Sequence, residues 1–369
     1  RGTRPPDAPG GARARRGDGV KKRMRAIMAA RAAAPAAGPA PAGAWPLAEP
    51  FAIGPVRVAN RVVQAPLAGI ANRAFRRQSR RHGAGLTVSE MVASHGIHHG
   101  NRKTLGMLTL APDEHPVGVQ VFGADPAIMA EAARVVEAAG ADLVDVNMGC
   151  PVPKICKTGA GAALLADPEA AARVVEAMAR AVRIPVTVKI RRGLTPSTAR
   201  PVETALRLEA AGAAAICVHP RAAAEEYEGR ADHRITAAVV EAVSVPVIAS
   251  GDVVTPAEAA EVVRLTGCAA VAVGRGALGY PWAFGDLAGG RARPRPDLAE
   301  VVAEVERFAV DARLALGDGR ACGYMRKFYP WYLAGHGVDG ARLEALLTAP
   351  TLDEALDLLR ALAAAPAAA

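Results

Sequence analysis

The sequence predicts an α/β protein, a (β/α)8 TIM barrel followed by a small C-terminal helical domain. Eight short runs rich in Val and Ile recur between residues 61 and 276. Ala-rich helical stretches separate several of these runs, and beyond residue 297 only helical stretches follow. Strands that alternate with helices form parallel sheets, and eight such units close a barrel. A doubly wound open sheet is the alternative, because the number of strands does not prove closure.

The predicted strands are almost continuously apolar, as expected of strands buried on both faces of a parallel sheet. They cover residues 61–66, 86–90, 117–123, 143–149, 186–190, 215–220, 245–251 and 269–276. We therefore expect a barrel domain over residues 45–292.

Four segments between these strands carry the start and stop signals of helices. They cover residues 125–140, 167–182, 201–212 and 255–267. Three of them begin with Asp-Pro or Thr-Pro, an N-cap residue followed by proline at the first helical position, and three end in glycine. After the barrel, residues 297–365 predict a small helical domain packed beside it.

The amino-terminal segment differs in composition from the rest of the chain. Residues 1–44 consist mostly of Ala, Pro, Gly and Arg, which predicts a disordered basic extension. A transit peptide is the alternative, but the segment has no clear amphipathic pattern. Residues 1–31 contain ten Lys and Arg against two Asp, so most of the net charge of +9 lies there. The basic balance of the chain therefore does not by itself indicate a nucleic-acid partner.

Cysteine usage and hydropathy exclude several classes of protein. The five cysteines are scattered, without a CxxC pair or a matching histidine cluster. This pattern argues against a disulfide framework and a metal site, and it predicts a cytoplasmic protein. No run of 18 or more apolar residues occurs, so we expect no membrane partner.

Polar and reactive residues follow the predicted strands, at the barrel end where such enzymes place their chemistry. Two glycine-containing turns, residues 249–253 and 273–278, follow strands seven and eight, where barrels bind phosphate through backbone N–H groups. The Arg275 guanidinium could donate two parallel hydrogen bonds to a bound anion. The alternative is that these glycines only form tight turns.

Two further strand ends carry side chains suited to a flavin. Lys189 could donate to the N1–C2=O edge of the ring and stabilise its anionic reduced form, and Gln120 could bond the polar edge. A solvated lysine at a strand end is the alternative.

Cys150 ends the fourth predicted strand, between Gly149 and Pro151. An isolated cysteine is usually a small core residue. A nucleophile would need a nearby base, for which His219 is the candidate. A thiol with its ordinary pKa of about 8.5 stays protonated at neutral pH, which suits a proton donor to a carbanion. The sequence alone does not decide whether Cys150 is a core residue, a nucleophile or a proton donor.

Several motifs together resemble one family, the tRNA-dihydrouridine synthases, and in particular the bacterial branch described as nitrogen-regulation homologues. The resemblance covers roughly residues 50–362, and DVNMGCPVPKICKTGAGAALL (145–165) is its most specific element. The other motifs are APLAGIANRAFR (65–76), SEM (89–91), VQVFG (119–123), TVKIRRG (187–193), CVHPR (217–221), SGD (250–252) and VGRGAL (273–278).

The resemblance implies an FMN enzyme that uses NADPH to reduce the 5,6 double bond of particular uridines in tRNA, without an obligate protein partner. Hydride would pass from reduced FMN to C6, and Cys150 would protonate C5. Uracil contacts would fall on Asn147, Lys189 and Arg191. The implied cofactor contacts are Pro66, Ala68, Gln120, Lys189, His219, Ser250, Gly251, Asp252, Gly274 and Arg275.

Three departures from the family pattern concern the cofactor and tRNA contacts. HPRA (219–222) stands where the family usually has HGRT, and Ser250 replaces the usual asparagine. The segment 223–233 carries extra acidic residues.

Basic clusters outside the tail could hold tRNA. In the helical domain we expect Arg326 and Lys327 to contact phosphates, whereas the interleaved aromatics between 324 and 332 predict a core-facing stripe. The arginines of the first helix would either contact phosphates or form a solvated face. They are Arg73, Arg76, Arg77, Arg80 and Arg81.

Two other functions fit parts of the pattern. A flavin-dependent dihydroorotate or dihydropyrimidine dehydrogenase would act on a free pyrimidine, but it has no evident use for the helical domain. A non-catalytic RNA-binding barrel would not need Cys150, Lys189, His219 and Arg275.

Overall fold

A computed structural model describes residues 45–364 of the chain, so the predicted disordered extension lies outside the described residues. A short hairpin, β1 (Phe51–Ile53) and β2 (Val56–Val58), precedes the barrel. Its side chains Ile53 and Val58 pack with Val63 and Leu143 in the barrel interior. The hairpin therefore closes the amino-terminal end of the barrel.

Eight parallel strands form the closed barrel, which confirms the predicted fold and excludes the open sheet. Each strand pairs with its neighbours in sequence, β11 pairs with β3 and β4 pairs with β6, so the ring has no free edge. The strands are β3 (Val62–Gln64), β4 (Leu86–Val88), β6 (Val117–Phe122), β7 (Leu143–Met148), β8 (Val186–Arg191), β9 (Ala215–His219), β10 (Val247–Ser250) and β11 (Ala270–Val273), and the two-residue β5 (Val92–Ala93) extends the edge of β6.

Helices surround the barrel, and the four predicted ones are present, shorter by two to four residues. The Asp125 and Asp167 carboxylates accept from backbone N–H groups at the starts of their helices, as the Asp-Pro pairs predict. The helices are α1 (Arg73–Arg81), α2 (Ser94–His98), α3 (Arg102–Gly106), α4 (Pro126–Ala138), α5 (Pro153–Cys156), α6 (Pro168–Ala179), α7 (Pro201–Ala210), α8 (His233–Ala242), α9 (Pro256–Thr266) and α10 (Ala283–Gly289).

The C-terminal helices pack on α1 and share its core. They are α11 (Leu298–Leu316), α12 (Asp318–Met325), α13 (Tyr329–Tyr332), α14 (Gly340–Thr348) and α15 (Leu352–Ala364). Phe75 of α1 stacks on Phe328 with ring centroids 6.2 Å apart. Tyr324, Phe328 and Tyr332 are buried, which confirms the core-facing stripe for these three rings.

The arginines of α1 lie between the barrel and the helical domain. Arg76 is 1% exposed, and its guanidinium lies 2.5 Å from the buried Glu114 carboxylate. Arg77 and Arg81 both contact Asp311 of α11 at 2.5 Å. The expectation of a phosphate-binding or solvated face is therefore wrong for these three residues, because they carry ion pairs within and between the two domains.

Within residues 45–364, no helix is long and apolar enough to cross a membrane. The same residues contain no cluster of three His, Cys, Asp or Glu side chains suited to a metal ion. All five cysteines are free thiols.

Candidate active site

A cleft opens at the carboxyl ends of the strands. Its walls come from β3, β8, β9, β10 and β11 and the loops that follow them. Eight of the ten predicted cofactor contacts line this cleft, whereas Ala68 and Gln120 do not. The eight are Pro66, Lys189, His219, Ser250, Gly251, Asp252, Gly274 and Arg275.

Gly251 has a backbone conformation and close neighbours that leave no space for a side chain. Its φ is +117°, and a Cβ built on it would lie 2.8 Å from Cδ2 of His219. A side chain at this position would therefore collide with the imidazole. A three-residue turn, Arg275–Ala277, follows Gly274, and its first two residues also line the cleft.

His219 is held neutral at the end of β9. Burial lowers the pKa of His219 well below its ordinary value, and the charges of Lys189, Arg191 and Arg221 lower it further. Nε2 lies 3.2 Å from the Arg221 guanidinium. Because arginine can only donate, Nε2 accepts and the ring proton resides on Nδ1. The Nε2 lone pair is thus engaged, which weakens the case for His219 as the base of a nucleophilic Cys150.

Arg221 anchors the loop after β9. Its buried guanidinium donates to the carbonyl oxygens of Glu228 and Gly229 and to the Asp252 carboxylate at 2.5 Å. The Asp252 carboxylate also accepts from the Ala231 backbone N–H. Asp252, a predicted cofactor contact, therefore holds a loop in place.

Tyr227, which was not predicted from the sequence, lies on that loop and lines the cleft. The Arg275 guanidinium lies over its ring, 4.0 Å from the centroid. Arg191 lies 5.4 Å from the same centroid. Tyr227 therefore contacts both a predicted cofactor residue and a predicted substrate residue. Its one sequence signal is a lone aromatic in an acidic loop.

Cys150 is half-buried in the loop after β7. Burial raises the pKa of its thiol, so the group stays protonated at neutral pH. Its backbone N–H donates to Asn147 Oδ1 at 2.9 Å, and Arg191 Nε donates to the Gly149 carbonyl at 3.0 Å. Asn147 and Arg191, both predicted to bind substrate, thus brace the loop that carries the thiol.

Gln120 lies beneath this loop. It is 1% exposed, and its Nε2 donates to Asp145 at 2.7 Å while its Oε1 accepts from Asn147 at 2.7 Å. Lys189, partly buried on the neighbouring strand β8, lines both the cleft and a smaller cavity in the barrel interior.

The two basic residues predicted in the helical domain lie in different surroundings. Arg326 donates to the Ala349 carbonyl at 2.7 Å and so braces the helical domain. Lys327 is exposed, and its Nζ donates to the Gly69 carbonyl at 2.9 Å, next to Ala68 in the loop after β3. Lys327 alone of the two therefore reaches the barrel rim.

Comparison with known proteins gives the family. The model of the dihydrouridine synthase (Dus) family matches residues 63–365. A tRNA-dihydrouridine synthase B of Pseudomonas aeruginosa is 40% identical over 286 residues, which are 76% of this chain and 86% of that protein. A tRNA-dihydrouridine synthase B of Xanthomonas axonopodis pv. citri is 38% identical over 312 residues, 84% of this chain and 94% of that protein.

Solved structures of low sequence identity share the fold. Histamine dehydrogenase from Rhizobium sp. 4-9 gives a TM-score of 0.52 at 16% identity, over 64% of this chain and 47% of that one. A morphinone reductase mutant in complex with tetrahydroNAD gives a TM-score of 0.50 at 15% identity, over 69% of this chain and 93% of that one. On the match of the family model and the curated relatives, the chain belongs to the dihydrouridine synthase family.

Proposed function

We propose that this protein is a tRNA-dihydrouridine synthase that reduces the 5,6 double bond of uridines in tRNA, with FMN as cofactor and NADPH as reductant. The observation that carries the proposal is the Cys150 thiol, kept protonated by burial at the same rim as the cleft. The two curated relatives described above act, by their names, on the same substrate class.

The cleft residues fit a flavin mononucleotide. Gly251 and Gly274 line the cleft, and Arg275 brings a positive charge for a phosphate. Lys189 lies at the inner end, where a cation would stabilise a negatively charged flavin ring. We assign the cofactor to these residues together with Pro66, Ser250 and His219, whereas the contacts predicted for Ala68 and Gln120 remain predictions.

The protein residues have separate tasks in the reaction. A bound flavin supplies the hydride for C6 of the uracil. The Cys150 S–H donates its proton to C5, and the half-buried thiolate left behind is reprotonated from solvent. Neutral His219 keeps its Nδ1–H available to a polar atom in the cleft, because Arg221 occupies Nε2.

We further propose that the helical domain, residues 297–365, binds tRNA, and that the protein acts in the cytoplasm without an obligate protein partner. Lys327 supports this assignment because its ammonium lies at the junction of the helical domain and the barrel rim. The family match spans both parts of the chain, which does not favour a dehydrogenase for free pyrimidines.

The test is an assay with purified protein. We expect yellow protein that releases FMN on denaturation and forms dihydrouridine in unmodified tRNA when NADPH is added. Cys150→Ala should retain FMN and lose at least about a hundredfold in rate, the usual size of a general-acid contribution. Colourless protein that binds no FMN, or full activity of Cys150→Ala, would refute the cofactor or the donor assignment respectively.

A further inference from the structure

A chain of buried amides links Cys150 to a carboxylate that the proposed reaction does not use. Gln120, Asp145 and Thr187 occupy one row across β6, β7 and β8. The Asp145 carboxylate accepts from Gln120 Nε2 at 2.7 Å and from Thr187 Oγ1 at 2.6 Å. Two residues along β7, Asn147 donates to Gln120 Oε1.

The donor–acceptor direction of these hydrogen bonds is fixed at the end that contacts the Cys150 loop. The backbone N–H groups of Gly149 and Cys150 can only donate, so Asn147 must present Oδ1 to both, at 3.1 and 2.9 Å. Asn147 Nδ2 must then face Gln120, which accepts with Oε1 and turns Nε2 inward. The inner end therefore requires an acceptor, and Asp145 is the group that supplies it.

We propose that Asp145 is a positioning residue for Cys150: its acceptor oxygen orients Gln120 and Asn147, and through them the loop that carries the thiol. Gln120 and Asp145 are 1% and 5% exposed, so bulk water does not replace a missing acceptor. Without an acceptor at residue 145, the Gln120 side-chain N–H has no hydrogen-bond partner. The alternative is that the side-chain amides of Gln120 and Asn147 both rotate by 180°, and Asn147 then loses its two hydrogen bonds to the backbone N–H groups of the loop. The proposal rests on the role of Cys150 proposed above.

Asp145 could instead act through its charge, which faces that of Lys189 across β7 and β8. Two variants separate these roles. Asp145→Asn removes the charge but keeps an oxygen for Gln120, because the Thr187 hydroxyl can accept from the new amide. Asp145→Leu removes both charge and acceptor. The matched control is Thr187→Val, which deletes the other hydrogen bond of Asp145 and leaves the amide chain intact.

The measurement is the rate at which tRNA reoxidises the NADPH-reduced holoenzyme. We expect Asp145→Leu to slow this step by at least about tenfold, the effect of one unsatisfied buried amide. Asp145→Asn and Thr187→Val should stay within a few-fold of wild type, and flavin reduction by NADPH should not change. An Asp145→Asn variant as slow as Asp145→Leu would overturn the proposal in favour of the charge.

A double-mutant cycle tests whether Asp145 acts through the thiol. In a Cys150→Ala background, Asp145→Leu should cause no further slowing. Equal slowing in both backgrounds would show that Asp145 acts independently of Cys150. Should Asp145→Leu fail to fold, as judged by circular dichroism, Asp145→Val offers a β-branched side chain better suited to a strand.

A second readout needs neither cofactor nor activity. Iodoacetamide labelling of Cys150 in the flavin-free protein can be followed on the tryptic peptide 135–154, which contains no other cysteine. We expect Asp145→Leu to change the labelling rate at least about threefold, and Thr187→Val to leave it unchanged. An unchanged rate in Asp145→Leu would refute the positioning role, even if the assigned reaction of Cys150 proved wrong.

Discussion

Replacing Gly251 by alanine should impair cofactor binding more than folding. The residue has a φ of +117°, a conformation that L side chains rarely adopt. A Cβ would lie 2.8 Å from His219 Cδ2 and 3.1 Å from the Ala231 Cβ. The imidazole cannot easily turn aside, because Arg221 holds its Nε2. The strain must therefore be relieved by moving the wall of the cleft.

The magnitude follows from two costs. A non-glycine residue in such a backbone conformation costs about 1–3 kcal/mol. Overpacking adds a further cost of about 1–3 kcal/mol. If about 1 kcal/mol of this cost falls on the site, the Kd for FMN rises about fivefold, and the two costs together, about 2–6 kcal/mol, would raise it by about 30-fold to ten-thousandfold.

The assay is quenching of FMN fluorescence on titration with flavin-free protein, together with thermal unfolding. Gly319→Ala is the matched control, because a Cβ there meets nothing within 4 Å and alanine favours a helix. We expect the control to bind FMN like wild type. The reasoning is refuted if Gly251→Ala binds FMN within twofold of wild type, whatever its unfolding temperature.

Three further variants test other parts of the structure. Arg76→Ala should lower the free energy of unfolding by about 3–5 kcal/mol in urea, because it leaves the Glu114 carboxylate buried and unpaired; a loss below about 1 kcal/mol would contradict that pairing. The depressed pKa of His219 predicts stabilisation that is present above about pH 6.5 and lost as the pH falls below it. His219→Gln should therefore show a smaller fall in Tm between pH 7 and pH 5.5 than wild type, and an equal fall would count against a neutral His219. Lys327→Ala should weaken tRNA binding at low salt and leave FMN affinity unchanged, whereas unchanged tRNA affinity would remove this residue from the interface.

The barrel was predictable because each strand is marked locally. Apolar runs of five to eight residues, Asp-Pro helix starts and glycine after the helices all depend only on residues near them in sequence, and the structure confirms the predicted strands and helices. The ends of parallel strands meet by topology alone, so eight of the predicted cofactor contacts line one cleft.

The features that could not be predicted depend on partners that are distant in sequence. Arg77 on α1 resembles an exposed basic residue until Asp311, more than 200 residues later, packs against it. Gln120 could not be placed because its amide contacts depend on strand register. One signal was available: Asp145 and Asn147 lie two residues apart on a strand, so they share a face, and an aspartate between valines requires buried donors.

The most direct test of the proposed function is a map of dihydrouridine in tRNA from cells that lack this protein. We predict that dihydrouridine disappears from at least one position, returns when the wild-type protein is supplied and does not return with Cys150→Ala. Unchanged dihydrouridine at every position in the deletion strain would contradict the proposed function, and full restoration by Cys150→Ala would contradict the assigned proton donor.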